Sequence, residues 1–461
     1  MFWFVLGACI LPVWLFPYFV TQDGPSHLES ANILRVYAWT PLFQQYFRVN
    51  MAPVPNWFGH LAEAALVGVL PPAVAEKVFV SAYVAGFGLA LRLLTGEVGA
   101  LLALPLALNC TLLYGFFNFC WSTVWLLLFT ALYKRAKLLA LALLLLVMYF
   151  SHVFGCVVAG MVALVMNWRR VTVFAPVAVL IGWFMMYGGV GAGAGAPVGF
   201  LARWNALCHG STMAFSYAAS DQWLSTVYAV MLCGSAVWCV VKRRFNAWSI
   251  VAGVLLIASF ISPPQAGFGG YVLERIQVCL LLAVALWVTG CSGVGVRWLG
   301  AAGALMSIAV AWKIATIERE VNAELAEYMS VASGIEPGRT ILPVQFNSRG
   351  PGRLQGLYGL PMRHVAGYVA LRRGGLDLSN YEGRTGLFPL IFRDEVNPGV
   401  HIGGLEDEPP SPTYVDYHRR TPGSVDYVLV WDPLGTGSWK PGLTRLVGVS
   451  PKGWARLYRV D

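Results

Sequence analysis

The sequence predicts a polytopic all-α membrane domain of about eleven transmembrane helices, followed by a small extracytoplasmic α/β domain at the C-terminus. Three observations predict it. Hydrophobic residues make up 57% of the 461-residue chain and charged residues only 12%, about half the ~25% of soluble domains. Mean hydropathy is +0.62. Charge is also unevenly divided. Residues 1–316 carry 16 Lys and Arg against 7 Asp and Glu, whereas residues 317–461 carry 16 of each, which together return the totals of 32 and 23. The net charge of +9 therefore lies wholly in the apolar part, in short clusters between apolar runs. These features exclude a purely soluble enzyme, a disordered chain, a collagen-like chain and a nucleic-acid binder.

Apolar runs suited to a membrane helix of ~20 residues lie near 2–20, 73–91, 98–115, 118–133, 138–150, 153–167, 171–188, 223–241, 246–261, 272–290 and 297–315. The runs 138–150 and 153–167 are short, and only Ser151-His152 divides them; they read as tilted half-helices or as one long helix. Orientation follows from basic residues in short loops. With the N-terminus inside, Arg92, Lys134-Arg135-Ala136-Lys137, Arg169-Arg170, Lys242-Arg243-Arg244 and Arg297 all fall on the cytoplasmic side. Residues 21–72, 189–222, 262–271 and the C-terminal domain then lie outside. The short apolar stretch 56–70 contains His60 and Glu63 and reads as an interfacial helix. The first segment has no basic n-region and is read as a retained anchor. All nine cysteines precede residue 292, and the C-terminal domain has no disulfide framework. Cys208 alone lies in an outer loop, and there is no CxxC or Cys/His cluster of zinc type.

Six of the seven acids before residue 317 (Asp23, Glu29, Glu63, Glu76, Asp221 and Glu274) fall at or near the outer face; Glu97 falls inside. A carboxylate at the centre of a membrane helix costs ~2.5–3.5 kcal/mol on insertion scales. Their collection on one side suggests a polar cavity there, or loop residues in water. Asp23 follows the first span directly, in Thr21-Gln22-Asp23-Gly24-Pro25-Ser26-His27-Leu28-Glu29. Gly24-Pro25 turns the chain, and Pro25 opens an amphipathic helix over Ser26–Trp39. Asp23 then either caps that helix or stands at the mouth of the bundle, favoured by the helix dipole.

An acid just after the first span, ahead of a surface helix, resembles the GT-C superfamily of membrane glycosyltransferases. Further stretches are similar to an unassigned bacterial branch of it: Pro55-Asn56-Trp57, Ala75-Glu76-Lys77, Tyr114-Gly115-Phe116-Phe117-Asn118-Phe119, Ser151-His152 and Glu274-Arg275. The likeness covers residues 1–316. It implies a multi-pass protein of the inner (plasma) membrane that takes a sugar from a polyprenyl-phosphate carrier at the outer face. The acceptor, whether glycan, lipid or protein, stays open. Many members pair two acids in the first loop, whereas Gln22 and Gly24 flank Asp23 here. The resemblance names no certain cofactor and leaves room for a divalent metal.

Such a transfer needs a base for the acceptor proton and a cation for the leaving phosphate. Asp23 is the catalytic candidate, as the base of an inverting displacement. Arg275, beside Glu274 at the outer start of the tenth span, can grip phosphate oxygens or simply snorkel. Lys77 and Arg203 are weaker candidates. His27 can face the same cavity as Asp23. His152 and Asn118 sit at outer turns, as substrate-binding groups or as packing and interfacial-belt residues. The Gly/Ala run 188–199 lacks the strand–helix context of a nucleotide loop and reads as a flexible connection.

Residues 317–330 predict a helix leaving the membrane, with strands at Arg339–Gln345, Asp426–Trp431 and Arg456–Val460. The middle, 347–425, is rich in Gly, Pro and Arg; Glu406-Asp407-Glu408 reads as a solvated turn, and His364, His401 and His418 suggest no metal site. A rival class is a transporter or flippase, which places ionisable residues near the midplane on broken helices. A third is a non-catalytic membrane assembly protein.

Overall fold

A computed structural model describes residues 1–187, 199–209, 217–262, 270–291, 295–403, 416–435, 442 and 444–460. The Gly/Ala run through residue 198, the side chain of Cys208 and Glu406-Asp407-Glu408 lie outside the described residues. The chain divides into two units: Met1–Leu15, Pro53–Phe58 and Val80–Ala315 in the first; Phe16–Ala52, Gly59–Phe79 and Thr316–Asp461 in the second. The boundary near residue 316 matches the shift in charge. Most of the first loop, however, groups with the C-terminal tail, whereas the sequence division assigns it to the membrane domain.

The first unit is helical. Among the described residues, five helical stretches are long and apolar enough to cross a membrane: Pro72–Leu113, Val153–Tyr187, Gln222–Val241, Val272–Gly290 and Val296–Gly334. Four shorter apolar helices are Phe2–Trp14, Phe117–Leu132, Leu138–Ser151 and Ala247–Ile261. Two of the long stretches carry breaks where the sequence suggests loops. Gly96 (φ 74°, ψ 178°) interrupts the helix Pro72–Ala103, a conformation open to a residue without Cβ. A 3₁₀ segment, Trp168–Phe174, separates Val153–Asn167 from Ala175–Tyr187. His152 is extended (φ −163°, ψ 130°), so Leu138–Ser151 and Val153–Asn167 are two helices. Leu139, Val241, Ile261 and Trp312 are exposed. Each such side chain would gain ~1.5–3 kcal/mol by leaving water, so these surfaces suit hydrocarbon. Helices also approach closely: a Cβ on Gly303 would stand 2.3 Å from the Leu101 carbonyl oxygen.

The second unit is built on a five-stranded sheet and a two-stranded one. The strands are β1 Phe47–Val49, β2 Thr340–Gln345, β3 Leu376–Asp377, β4 Leu390–Phe392, β5 Tyr427–Trp431, β6 Thr444–Val449 and β7 Ala455–Val460. The larger sheet runs β3-β2-β5-β7-β6. β2 is parallel to both β3 and β5, with Ile341 opposite Tyr427 and Gln345 opposite Trp431. Every residue of β2 and β5 is buried, as expected for strands at the centre of a sheet covered on both faces. β7 pairs antiparallel with β5 and β6, and β6 is the exposed edge. The expected strands at 339–345, 426–431 and 456–460 thus lie in the central sheet. β1 and β4, short segments far apart in sequence, pair antiparallel with Phe47 opposite Phe392. Their rings stack at 4.4 Å. One core follows: Ile33, Phe43, Tyr46 and Phe47 of the first loop pack with Leu342, Val344, Phe392 and Val430 of the tail.

The helix Gly24–Val36 is sunk into this unit; every residue from Gly24 to Ala31 is buried. It lies against Ala366–Arg373, where a Cβ on Gly367 would stand 2.5 Å from the Pro25 carbonyl oxygen. Gly367→Ala is therefore expected to destabilise the second unit by about 1–3 kcal/mol. Gly356→Ala, which meets open space, should stay within about 0.5 kcal/mol of the parent. Thermal unfolding in detergent checks the pair; equal melting temperatures would refute the close packing.

Candidate functional site

In the second unit the first loop carries a row of ionisable side chains, and the tail supplies their partners. Asp23 sits at the N-cap position of Gly24–Val36, yet its carboxylate makes no capping hydrogen bond. Thr21 Oγ1 accepts from the Gly24 N–H instead, at 3.0 Å. The Asp23 carboxylate turns to the tail. Its Oδ2 accepts from the Tyr381 hydroxyl at 3.2 Å, its Oδ1 accepts from Gln22 Nε2 at 3.2 Å, and His364 Nε2 stands 3.7 Å away. Of the two sequence readings of Asp23, the cap is not the one realised. Burial raises the Asp23 pKa above its ordinary value, and the nearby His27, Gln22 and Arg363 only moderate this.

One helical turn on, His27 meets Glu382. Its Nδ1 contacts Glu382 Oε1, and His60 Nε2 lies 2.6 Å from Glu382 Oε2. The two imidazoles stand edge to face, centroids 5.2 Å apart. Phe388 walls both rings, at 5.9 and 5.5 Å. All three polar residues are buried. Burial alone would raise the Glu382 pKa, but His60 and His27 outweigh it and hold the carboxylate ionised far down the acid range. Burial alone would lower the His27 pKa, but Glu382, then Asp23 and Glu63, carry it to about 9. Glu63, on Trp57–Val67, is pushed well above its ordinary value by burial, and its Oε1 has no hydrogen-bond partner among the described residues. His364 is held well below its ordinary value by burial and by Arg363 and Arg384. The site thus combines a carboxyl group suited to proton transfer, a neutral imidazole beside it, two half-buried guanidinium groups, and an imidazole–carboxylate–imidazole trio. Nδ1, Nε2 or carboxylate atoms of His27, His60 and Glu382 all lie within 4.8 Å of one another, close enough to share a metal ion.

The remaining expected residues belong to the first unit. Arg275 lies over the Phe116 ring at 4.6 Å and near Phe119 at 5.9 Å, and donates to the Gly270 carbonyl at 2.7 Å. His152 meets Phe119 edge on at 5.7 Å, and its Nδ1 accepts from the Phe154 N–H at 3.2 Å, capping the next helix. Asn118 donates to the Asn56 carbonyl at 3.4 Å. Glu274 lies in the first turn of Val272–Gly290. Arg275, Asn118 and His152 therefore surround one aromatic turn, Tyr114–Phe119. Asp23 and His27 belong to the other unit. Of the weaker candidates, Lys77, in the second unit, donates to the Phe16 carbonyl, and Arg203, in the first, to the Ser259 and Ser262 carbonyls.

The sequence alone does not single out Glu382, Tyr381, Arg363 and Arg384, and it gives His60 the pattern of an interfacial helix and His364 that of a scattered residue. The tail residues among them lie in a stretch without periodicity, and Glu382 is 322 residues from His60. No family model matches the chain, and no curated protein matches it.

An acidic pair lies beside the site. Glu29 accepts from the Asp377 N–H at 2.8 Å and from Asn380 Nδ2 at 3.1 Å. Burial raises Asp377 from 3.8 to about 6, and burial with Asp377 nearby raises Glu29 well above its ordinary value. A folded-state pKa above the unfolded one means that the folded unit holds the proton more tightly. This contribution is complete below 3.8 and lost as pH rises through about 6. The melting temperature should fall across that window, and Asp377→Asn should flatten the fall. An equally steep profile in the variant would count against the pair.

Proposed function

We propose that the chain is a membrane glycosyltransferase of GT-C type. It moves a sugar from a polyprenyl-phosphate donor to an acceptor at the non-cytoplasmic face of the plasma membrane. In this reading eleven spans place the N-terminus inside and both first loop and tail outside. The observation that carries the reading is the state of Asp23: a buried carboxyl group at a helix start that makes no capping bond and faces Tyr381 and His364. A carboxyl group with a raised pKa is matched to taking a hydroxyl proton near neutral pH.

Asp23 takes the acceptor proton as the acceptor oxygen attacks the anomeric carbon. The bond from that carbon to the phosphate oxygen breaks, and the phosphate leaves with the electron pair. Tyr381 orients the base. Arg363 and Arg384 add positive charge in the unit that carries Asp23; both lower the pKa of His364.

Asp23→Asn keeps the size of the side chain and removes the base. In membranes supplied with polyprenyl-linked sugars, transfer is expected to drop by about 10²–10⁴-fold with the melting temperature little changed. Undiminished transfer by the variant ends the base assignment. No transfer by the parent chain with any polyprenyl-linked sugar would favour a transporter or assembly role.

A further inference from the structure

We propose that His27, His60 and Glu382 form a binding site for one divalent transition metal of the zinc class, with at least one coordination position left for a water or a substrate oxygen. The three donors come from three segments: the helices Gly24–Val36, Trp57–Val67 and Glu382–Thr385. The fold brings them to one point, with all candidate donor atoms within 4.8 Å. Zinc binds imidazole nitrogen and carboxylate oxygen at ~2.0–2.2 Å, so donors sharing one ion stand roughly 3–3.5 Å apart. The His60 Nε2 to Glu382 Oε2 separation of 2.6 Å is a hydrogen-bond distance. A shift of under about 1 Å, with loss of the bridging protons, converts the hydrogen-bonded trio into a coordination shell.

The chemistry of the donor set selects the ion. Two imidazoles and one carboxylate form the three-ligand pattern of open catalytic zinc sites. Hard cations such as magnesium and calcium prefer oxygen-only shells, and the set contains no thiolate to recruit copper(I). The surroundings supply a second, independent sign. Glu63 is 1% exposed and its Oε1 lacks a hydrogen-bond partner among the described residues. It is an electrostatic neighbour of both His27 and Glu382. Beside a divalent cation this oxygen gains an opposite charge or a metal-bound water to accept from. Glu382 is held from behind, its N–H donating to Asn380 Oδ1 at 3.1 Å. Asn380 in turn donates to Glu29 and Ser30, both at 3.1 Å. These bonds fix the backbone from which the Glu382 side chain projects.

The inference does not depend on sugar transfer, and its test reads metal rather than product. The full chain, purified in detergent without a polyhistidine tag, is stripped with chelator and titrated with Zn(II) against a chromophoric competitor. The expected result is one zinc per chain in the parent and in His401→Gln, with affinity at least tenfold weaker in His60→Gln and in Glu382→Gln. Co(II) loaded into the parent should give visible absorption bands of a four- or five-coordinate site, and these should be absent from His60→Gln. If both ligand variants fail to fold, the cobalt spectrum of the parent still decides. A parent chain that binds no zinc and gives no such spectrum, or a Glu382→Gln variant of unchanged affinity, overturns the site and leaves the trio as a buried ion pair alone.

Discussion

Ionisable groups withdrawn from water must be paired or neutralised, and the second unit is organised around that requirement. The helix Gly24–Val36 buries Asp23, His27 and Glu29 together. No group within one short helix can satisfy all three. Tyr381 and His364 attend Asp23, Glu382 attends His27, and Asp377 and Asn380 attend Glu29. Gln22 Oε1 also accepts from the Leu360 N–H at 3.0 Å, and Glu318 Oε2 accepts from the Val20 N–H at 2.9 Å. Apart from Gln22, which donates to its neighbour Asp23, each of these partners belongs to residues beyond 316. The first loop therefore folds with the tail, and the pairing of β1 with β4 seals the joint with stacked Phe47 and Phe392.

The same requirement explains what could be read in the chain. Apolar runs announce themselves by composition. So do β2, β5 and β7, whose residues follow the pattern of buried or half-buried strands. Even the break at His152 is legible, because a polar pair interrupts an apolar run. β1, β3 and β4 are two or three residues long, and nothing local distinguishes them from loop. The segment Trp57–Val67 illustrates a subtler limit. His60 and Glu63 give it the pattern of an interfacial helix with a wet face. Both are 1% exposed, because that face meets protein. Amphipathicity reports that two faces differ and leaves open which is covered by water. Asp23 shows the limit at a single residue. Its position at a helix start is legible, and whether its side chain caps that helix depends on Tyr381, 358 residues away.

Carboxyl groups crowd one buried region, and the environment sorts them into two states. Glu382 lies between two imidazoles and stays ionised. Asp23, Glu29 and Glu63 lack a full countercharge, and burial shifts each toward its neutral form. Groups pushed apart in this way can divide acid, base and ligand roles near one pH. The neutral His364 beside Asp23 fits that division, since a second cation there would drive the carboxyl group back toward its ionised form.

The arrangement also bears on how the unit is held together. It contains no cysteine: all nine lie before residue 292 and outside its segments. Its three stretches of chain are joined only through the first unit, so association between loop and tail is not reinforced by a covalent bridge. A cross-link between distant segments stabilises chiefly by restricting the unfolded chain, more so for longer loops. Glu382 joins the same segments in the folded state alone, drawing His27 and His60 of the loop to the tail through one carboxylate. Removing that carboxylate leaves two buried imidazoles without their anion, and breaking a buried pair from one side typically costs ~3–5 kcal/mol. The groups that make the site chemically capable are thus the ones that hold its two halves in register.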